Sequence, residues 1–190
     1  MSIRGKGHNV SAESAVSSDG LAHERRAVHL RTVALPAPIR GRLFLAAMPG
    51  RDTDLEADLS QMTALSVSSI LCLVEHDELR RLAPAYAEAC NASGAELPRV
   101  ETHPIPDFGI PTDVQAYRNT VSATASRLQA GETVLIHCAA GIGRTGMTAI
   151  AVLCRLDLDE ADARRRVEAA GSGPETDAQK AFLQELVRRC

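Results

Sequence analysis

The sequence has no tryptophan, and aromatic residues make up only 3% of its 190 residues. The hydrophobic core must therefore be built mainly from Leu, Val, Ile and Ala. The chain also lacks an excess of charge of either sign, with a formal net charge of −3. This balance gives no general attraction to nucleic acid or to anionic membranes, so we expect neither as a partner, and any anion site must be local.

Cysteines are few, and their spacing does not indicate a disulfide framework or a metal site. Their number is odd, and no C-x-x-C or paired Cys/His spacing occurs. We therefore expect a reducing environment, no metal ion and no cofactor. The five cysteines are Cys72, Cys90, Cys138, Cys154 and Cys190.

Long apolar runs are absent as well. The longest, Met147–Cys154, is too short to span a bilayer, and the N-terminus lacks the pattern of a signal peptide. We expect a cytoplasmic protein with a disordered tail over residues 1–28, rich in Ser, Gly and charge, and one domain over 29–190. A secretion or docking signal in the tail, and hence a secreted effector, is the alternative. Arginine outnumbers lysine 19 to 2, which favours a bacterial origin.

From about residue 30 the chain alternates between strand and helix patterns. This alternation predicts an α/β domain with a mostly parallel sheet of about four to five strands, covered by helices on both faces. The continuous apolar run Thr133–His137 is typical of the central strand of such a sheet. Three further strands are predicted at Arg42–Ala47, Ser69–Val74 and Arg99–Ile105. The last helices are predicted at about 144–155, 159–170 and 175–189.

Several residues predict where helices begin, break and face the core. Thr53 with Glu56, and Thr112 with Gln115, have the spacing of capping boxes. Pro84 is expected to kink or split the helix that contains it. The helix that follows Thr112 should end at Gly131 and turn four residues inward: Val114, Tyr117, Val121 and Leu128.

The stretch "HCAAGIGRTG" (His137–Gly146) allows two interpretations. Its glycines, Gly141, Gly143 and Gly146, match the dinucleotide fingerprint G-x-G-x-x-G. That site needs a second parallel strand ending in an acidic residue about 20 residues later. The sequence after Gly146 instead predicts two helices, which disfavours this interpretation.

The second interpretation is a thiolate nucleophile beneath a phosphate cradle. Cys138 would lie at the end of a central strand and face a helix N-terminus, a setting that stabilises a thiolate. The planar fork of Arg144 can hold two oxygens of an oxyanion, and the small residues between them let backbone N–H groups point inward. A structural cysteine followed by an unrelated arginine is the alternative, which the glycines and the helix start disfavour. The predicted phosphate-binding amides are those of Ala139, Ala140, Gly141, Ile142, Gly143 and Arg144.

The same stretch resembles the signature loop H-C-x5-R-[ST] of the cysteine-based protein tyrosine phosphatases. The resemblance extends over roughly residues 35–188. "PIPDFGIP" is similar to the general-acid loop of the small dual-specificity group. "GSGPETDAQKAFLQEL" is similar to the C-terminal segment of the kinase-associated phosphatase branch (the cyclin-dependent kinase inhibitor 3 type). The resemblance implies the fold of this family and a metal-independent phosphomonoesterase that works through a phosphocysteine.

The resemblance also implies roles for residues of the loop. Cys138 would attack phosphorus, and Arg144 with the loop amides would meet the charge of the transition state. Thr145 would donate its hydroxyl to the sulfur, or serve as a helix cap. His137 would orient the loop through hydrogen bonds.

Outside the loop, the resemblance assigns the general acid to Asp107, 31 residues before the cysteine. Asp113 is better explained as a residue that stabilises a helix start. Gln179 resembles a glutamine that places the water of the second step, although Glu175 stands where the family often has another glutamine. On its own, Gln179 would be interpreted as a surface residue.

A phosphorylated protein, phosphotyrosine above all, is the expected substrate. The loop interior has no lysine, which argues against polyphosphorylated lipids. A phosphoprotein-binding module without turnover, and a phosphatase of a small metabolite or an RNA 5′ end, remain the alternatives. The segment Glu75–Glu78 is expected either to rim the pocket or to form a solvated loop, and whether Cys72 protects the nucleophile from oxidation is left open.

Overall fold

A five-stranded sheet forms the centre of the part that the computed structural model describes, which comprises Met1, residues 27–92 and residues 97–188. The strand order is β1-β2-β5-β3-β4, with β1 antiparallel to β2 and the other neighbours parallel. The strands are β1 (Arg31–Val33), β2 (Arg42–Ala46), β3 (Ser69–Cys72), β4 (Arg99–Thr102) and β5 (Thr133–His137). The helices are α1 (Leu55–Ala64), α2 (His76–Leu82), α3 (Pro84–Asn91), α4 (Val114–Gln129), α5 (Gly143–Arg155), α6 (Glu160–Ala169) and α7 (Asp177–Val187).

Strand β5 lies at the centre of the sheet, and all five of its residues are buried. Its last residue, His137, is in register with Ala46 of β2 and Cys72 of β3. The carboxyl ends of three parallel strands therefore meet at one edge, where α/β proteins gather their functional groups. The predicted mostly parallel sheet with this central strand is confirmed.

Both faces of the sheet are covered, as predicted. Alternate residues of β2 point to opposite sides: Leu43 and Leu45 join the larger core cluster with residues of α2 to α7, and Phe44 joins a smaller cluster with Met62 of α1. The core is mainly aliphatic, in line with the composition. Its largest buried side chains include Tyr86 and Tyr117.

Two predicted helix starts are wrong by one residue. Asp54 caps α1 by accepting from the N–H of Ala57, and Asp113 caps α4 in the same way. An aspartate beside each threonine supplies a charged acceptor at the helix N-terminus, so the predicted capping boxes do not form. Val114 also differs from expectation, because it lies in the first turn of α4 and is 42% exposed. Pro84 does split its helix, since α3 begins there after a single residue outside either helix.

Most of the predicted tail, residues 1–28, lies outside the described residues. Val28 belongs to the packed domain: its side chain is buried, and its backbone N–H donates to Asp58 Oδ1 over 2.6 Å. Asp58 is itself fully buried and also accepts from Gly50 and Thr53. This carboxylate therefore joins the start of the domain to the β2–α1 connection and to α1.

Across these same residues, no helix is long and apolar enough to cross a membrane.

Candidate active site

Cys138 lies where β5 ends, in the loop that leads into α5. Its side chain is 3% exposed, and the N–H of Gly141 donates to Sγ over 3.2 Å. The N-terminus of α5 begins at Gly143, five residues on. Both the donated hydrogen bond and the helix dipole favour a negative charge on the sulfur.

Gly141 is required for a geometric reason. Its φ is +73°, and a Cβ there would lie 2.2 Å from the carbonyl oxygen of Ala46. The loop thus curls tightly against the end of β2. The dinucleotide interpretation is excluded because α6, and not a second parallel strand, follows α5.

Carbonyl groups of the loop are held on its outer side. Met48 donates its backbone N–H to the Ala139 oxygen over 3.0 Å, and Gly173 donates to the Ile142 oxygen over 3.3 Å. In a trans peptide, the N–H points away from the C=O. Because the carbonyl groups of Ala139 and Ile142 point outward, the N–H groups of the residues that follow them point toward the interior of the loop, as a phosphate cradle requires.

Arg144 is buried, and both terminal nitrogens of its guanidinium donate hydrogen bonds. Its guanidinium makes a two-pronged ion pair with Glu78, at 2.7 Å and 2.9 Å, and Nη1 also donates to the Ile105 oxygen over 3.1 Å. Burial opposes the charge of Arg144, yet the hydrogen bonds to Glu78 raise the pKa of the guanidinium above its ordinary value. The same hydrogen bonds lower the pKa of Glu78, against the effect of its burial. The fork is thus held in a fixed orientation as a permanent cation.

Sequence reasoning did not assign a role to Glu78. It had left the segment Glu75–Glu78 undecided between a pocket rim and a solvated loop. The structure places Glu78 in α2, directly after the carboxyl end of β3, and its side chain is only 9% exposed. The feature that could have indicated a role for Glu78 is its position. It is the third residue of a helix that starts at the edge of the sheet where the functional groups meet.

Asp107 lies on the loop between β4 and α4 and reaches Arg144. Its Oδ1 is 2.9 Å from Nη2 of Arg144, while 58% of the side chain remains exposed. Phe108, the next residue, has a φ of +54° and is 61% exposed. The alternative carboxylate, Asp113, caps α4 through its bond to the Ala116 N–H, in line with the role given to it.

Gln179 is buried and ties two loops together. Its Oε1 accepts from the N–H of Glu175 over 2.9 Å, and its Nε2 donates to the Gly109 oxygen over 3.1 Å. It also completes a capping box with Thr176 at the start of α7. Thr176 in turn donates its hydroxyl to the Phe108 oxygen over 3.2 Å. The interpretation of Gln179 as a surface residue is therefore wrong, and both ends of its amide hold the segments around the pocket.

His137 is buried between Tyr86 and its own loop. Its Nδ1 lies 3.2 Å from the Cys138 oxygen, and its Nε2 lies 3.0 Å from the Tyr86 hydroxyl. Since the carbonyl only accepts, Nδ1 carries the proton and the tyrosine donates to Nε2. Burial lowers the pKa of His137 to about 4, so the ring is neutral and orients the loop by hydrogen bonds alone.

Thr145 lies in the first turn of α5, fully buried. Its hydroxyl has no hydrogen-bond partner among the described residues. The expected bond to the Cys138 sulfur is thus not formed in this structure, and no side chain caps α5. The hydroxyl remains an unused donor beside the loop.

Cys72 is also buried, at the end of β3. Burial raises the pKa of its thiol to about 12. A thiol that resists ionisation is a poor partner for rapid disulfide exchange with Cys138.

Cys138, Arg144, Asp107 and Gln179 line one cavity of about 210 Å³. The cavity brings together predicted site residues from separate parts of the chain. It also includes Arg51 and Phe108, to which the sequence assigns no role, and Glu175, which stands where the family often has a glutamine. Its lining is Arg51, Asp107, Phe108, Cys138, Ala139, Ala140, Arg144, Glu175 and Gln179. A search of the described chain finds no group of three or more His, Cys, Asp or Glu residues able to hold a metal ion.

Solved structures of phosphatases share this fold. Kinase-associated phosphatase (KAP), with its catalytic-site cysteine changed to serine, matches with a TM-score of 0.72 at 19% identity, covering 87% of this chain and 97% of that chain. Tk-PTP in its active form gives 0.63 at 28% identity, with 80% and 95% covered. The human tyrosine phosphatase-like serine/threonine/tyrosine-interacting protein gives 0.61 at 21% identity, with 85% and 95% covered. The architecture is therefore that of the cysteine-based phosphatases.

The family follows from the sequence itself. Residues 46–157, more than half of the chain, match the model of a family described as "Tc-R-P: Polymorphic toxin system, DSP-PTPase phosphatase". The chain belongs to this family, which confirms the predicted membership in the dual-specificity and tyrosine phosphatase superfamily. No curated protein matches it significantly.

Proposed function

We propose that this protein hydrolyses phosphate monoesters on proteins, as a tyrosine or dual-specificity phosphatase that forms a phosphocysteine intermediate. One observation carries the proposal: Cys138, Arg144 and Asp107 meet in one cavity, with the sulfur at a helix N-terminus. Nucleophile, anion clamp and acid are the three parts that phosphomonoester hydrolysis without a metal needs. His137 and Gln179 support this set by holding the surrounding loops.

In the first step, the Cys138 thiolate attacks phosphorus and the ester P–O bond breaks. Arg144 and the loop amides hold the equatorial oxygens and stabilise the charge of the transition state. The arriving phosphate takes over the bond that Arg144 makes to Asp107. Asp107, released from Arg144, gives a proton to the leaving oxygen as the general acid.

In the second step, water attacks the phosphocysteine and the S–P bond breaks. Asp107, now ionised, takes the proton from this water. Thr145 has a buried hydroxyl without a partner among the described residues, and we assign this hydroxyl the role of donor to the departing thiolate. Gln179 would contribute to placing the water only by exchanging one of its present bonds, so we assign it a positioning role first.

The rim of the cavity supports phosphotyrosine as the preferred group. Phe108 of the acid loop lines the cavity with an apolar side chain that is 61% exposed. An aryl ring gains more from such contacts than the short side chain of phosphoserine. A small metabolite would leave the Phe108 ring in water.

The place where the protein acts, inside or outside the producing cell, is a separate part of the proposal. The family description names polymorphic toxin systems, which favours the alternative of an exported effector over the cytoplasmic enzyme expected from the sequence. Fractionation of producing cells and medium, with an antibody to the chain, distinguishes the two. Recovery from the cytosol alone under all growth conditions would contradict export.

The test of the chemistry is turnover of p-nitrophenyl phosphate with no added metal. We expect activity that orthovanadate inhibits and that Cys138→Ser abolishes while leaving phosphopeptide binding in place. Turnover that persists in Cys138→Ser would refute the phosphocysteine mechanism. Phosphopeptide binding without turnover in the unmodified protein would identify a binding module instead.

The substrate class is tested with the same trap. Immobilised Cys138→Ser is exposed to phosphotyrosine, phosphoserine and phosphothreonine peptides of one sequence and to 5′-phosphorylated RNA. We expect retention of the phosphotyrosine peptide above the others. Preferential retention of RNA would contradict a protein substrate.

A further inference from the structure

Two residues that no assigned role covers, Arg31 and Ser172, meet at the outer side of the phosphate loop. Arg31 comes from β1 at the edge of the sheet, and Ser172 from the connection between α6 and α7. The Ser172 hydroxyl, on a side chain 4% exposed, donates to the Gly141 oxygen over 2.7 Å. Arg31 donates to the same oxygen through Nη2, and to the Gly171 oxygen through Nη1 over 2.6 Å.

We infer that Arg31 and Ser172 are positioning residues for catalysis: they fix the Gly141–Ile142 peptide so that the Ile142 N–H points at the transferring phosphoryl group. This inference rests on the proposed phosphatase function and deepens it. Neither residue touches the reacting atoms. Both act through a single carbonyl group.

The geometry follows from the peptide bond. In the described chain, the only cis peptide is Ala37–Pro38, so the bond between Gly141 and Ile142 is trans. Two donors on the outward oxygen therefore direct the amide of Ile142 inward. Hydrogen bonds to a C=O also polarise the attached N–H, which makes it a stronger donor to an oxyanion.

Charge distinguishes Arg31 from the other groups that hold the loop. The neighbouring carbonyls of Ala139 and Ile142 are held by backbone N–H groups, which are neutral. Arg31 brings a cation to the back of the same loop, close enough to Cys138 for mutual attraction. Burial lowers the pKa of Arg31, and the Cys138 charge counteracts this effect.

Gly141 explains why side-chain support is needed here. Its φ of +73° belongs to a residue with the widest conformational choice, so this peptide is the one that can most readily rotate. A rotated peptide would present a carbonyl oxygen to the phosphate and repel it. Arg31 and Ser172 oppose this rotation in the empty loop, before substrate binds.

The test compares Arg31→Met, Arg31→Lys, Ser172→Ala and the double variant Arg31→Met/Ser172→Ala. Arg166→Met is the matched control, because Arg166 also donates to a backbone oxygen, that of Ala34, away from the loop. Affinities for orthovanadate and inorganic phosphate are measured by calorimetry, together with kcat and KM. The Ile142 amide resonance is followed by NMR during vanadate addition.

We expect the double variant to bind vanadate about tenfold more weakly and to lose about as much in kcat, because an oxyanion donor is misaligned but not removed. Phosphate affinity and KM should change less than threefold, and the shift of the Ile142 amide on vanadate binding should be lost. In each single variant, the change in the logarithm of the vanadate affinity should be less than half of the change in the double variant, since the other donor still holds the Gly141 oxygen. Arg31→Lys should recover part of the loss.

Vanadate affinity within twofold of the unmodified protein in a folded double variant would overturn the inference. An equal loss of vanadate affinity in Arg166→Met would also overturn the inference. If the double variant does not fold, Ser172→Ala with Arg31→Lys gives the same comparison with smaller changes. A failure of the phosphatase proposal looks different, because the unmodified protein would then not turn over substrate, whether or not it binds vanadate.

Discussion

Arg144 holds two carboxylates before any substrate binds. Glu78 accepts one bond from each terminal nitrogen of the guanidinium, and Asp107 accepts a second bond from Nη2 at 2.9 Å. The two carboxylates differ in exposure, at 9% for Glu78 and 58% for Asp107. The buried one is a permanent support, and the exposed one can be displaced by phosphate.

Neutralising Asp107 should therefore separate binding from turnover. In Asp107→Asn, phosphate no longer competes with a charged side chain for Arg144, so we expect vanadate to bind about three- to tenfold more tightly. Turnover should fall, and more for alkyl phosphates than for p-nitrophenyl phosphate, whose leaving group needs no proton. Equal losses for both substrates would remove Asp107 as the general acid.

Glu78→Gln tests the permanent support. Replacing one partner of a buried ion pair leaves the other charge poorly compensated, at a cost of about 3 kcal/mol in unfolding free energy. We also expect kcat/KM to fall on the order of tenfold or more, because the arginine fork is no longer held. The exposed Glu75 at the same helix start gives the control Glu75→Gln. Similar losses in both variants would mean that Glu78 has no special role.

At the scale of elements, the sequence was most informative where pattern and burial agree. Thr133–His137 is apolar throughout and lies at the sheet centre, and Pro84 breaks its helix because it cannot continue the hydrogen-bond ladder. Helix starts were less predictable, since several acceptors compete within two residues. Asp54, and not Thr53, caps α1, because Thr53 instead donates its hydroxyl to the buried Asp58, five residues on, and the burial of Asp58 is set by the fold.

The packing of α5 against the connection before α7 gives a prediction at this scale. A Cβ at Gly146 would lie 2.1 Å from the Gly173 nitrogen, and this backbone contact cannot yield without moving the segment that carries Ser172. Gly146→Ala should cost about 1–3 kcal/mol in unfolding free energy and also weaken vanadate binding. In Gly173→Ala, the new Cβ would meet only Glu168, at 3.8 Å, so this variant is the control. Urea unfolding of both variants checks the difference, and equal stability would contradict the packing argument.

At the scale of the whole molecule, the catalytic loop was readable from the sequence and its supports were not. Cys138 and Arg144 lie in one short motif, so their spacing alone indicates the chemistry. Glu78, Arg31 and Ser172 come from distant segments, and only the fold brings them to the loop. Sequence patterns report local spacing, whereas these contacts depend on strand order and on the path of the connections.

Global stability should depend on pH through His137. Its pKa is about 4 in the folded chain, against about 6.5 when unfolded, so below pH 6.5 the unfolded state binds the extra proton. Stability from this residue is therefore complete above pH 7 and lost as the pH falls toward 4, with about 2 kcal/mol lost by pH 5. Urea unfolding at pH 7.5 and 5 measures the loss. His137→Asn should reduce this pH dependence, and an unchanged slope in that variant would assign it to other groups.

The family match covers residues 46–157, yet Arg31, Ser172 and Gln179 all lie outside it. A fragment cut at those limits would keep Cys138, Arg144 and Asp107 while losing β1, all of β2 except Ala46, α6, α7 and the residues that hold the loop. Expression trials and domain grafts should therefore include the chain from the packed Val28 through the end of α7 at Val187. Substitutions outside the matched range can therefore alter how the loop is held while Cys138, Arg144 and Asp107 stay unchanged.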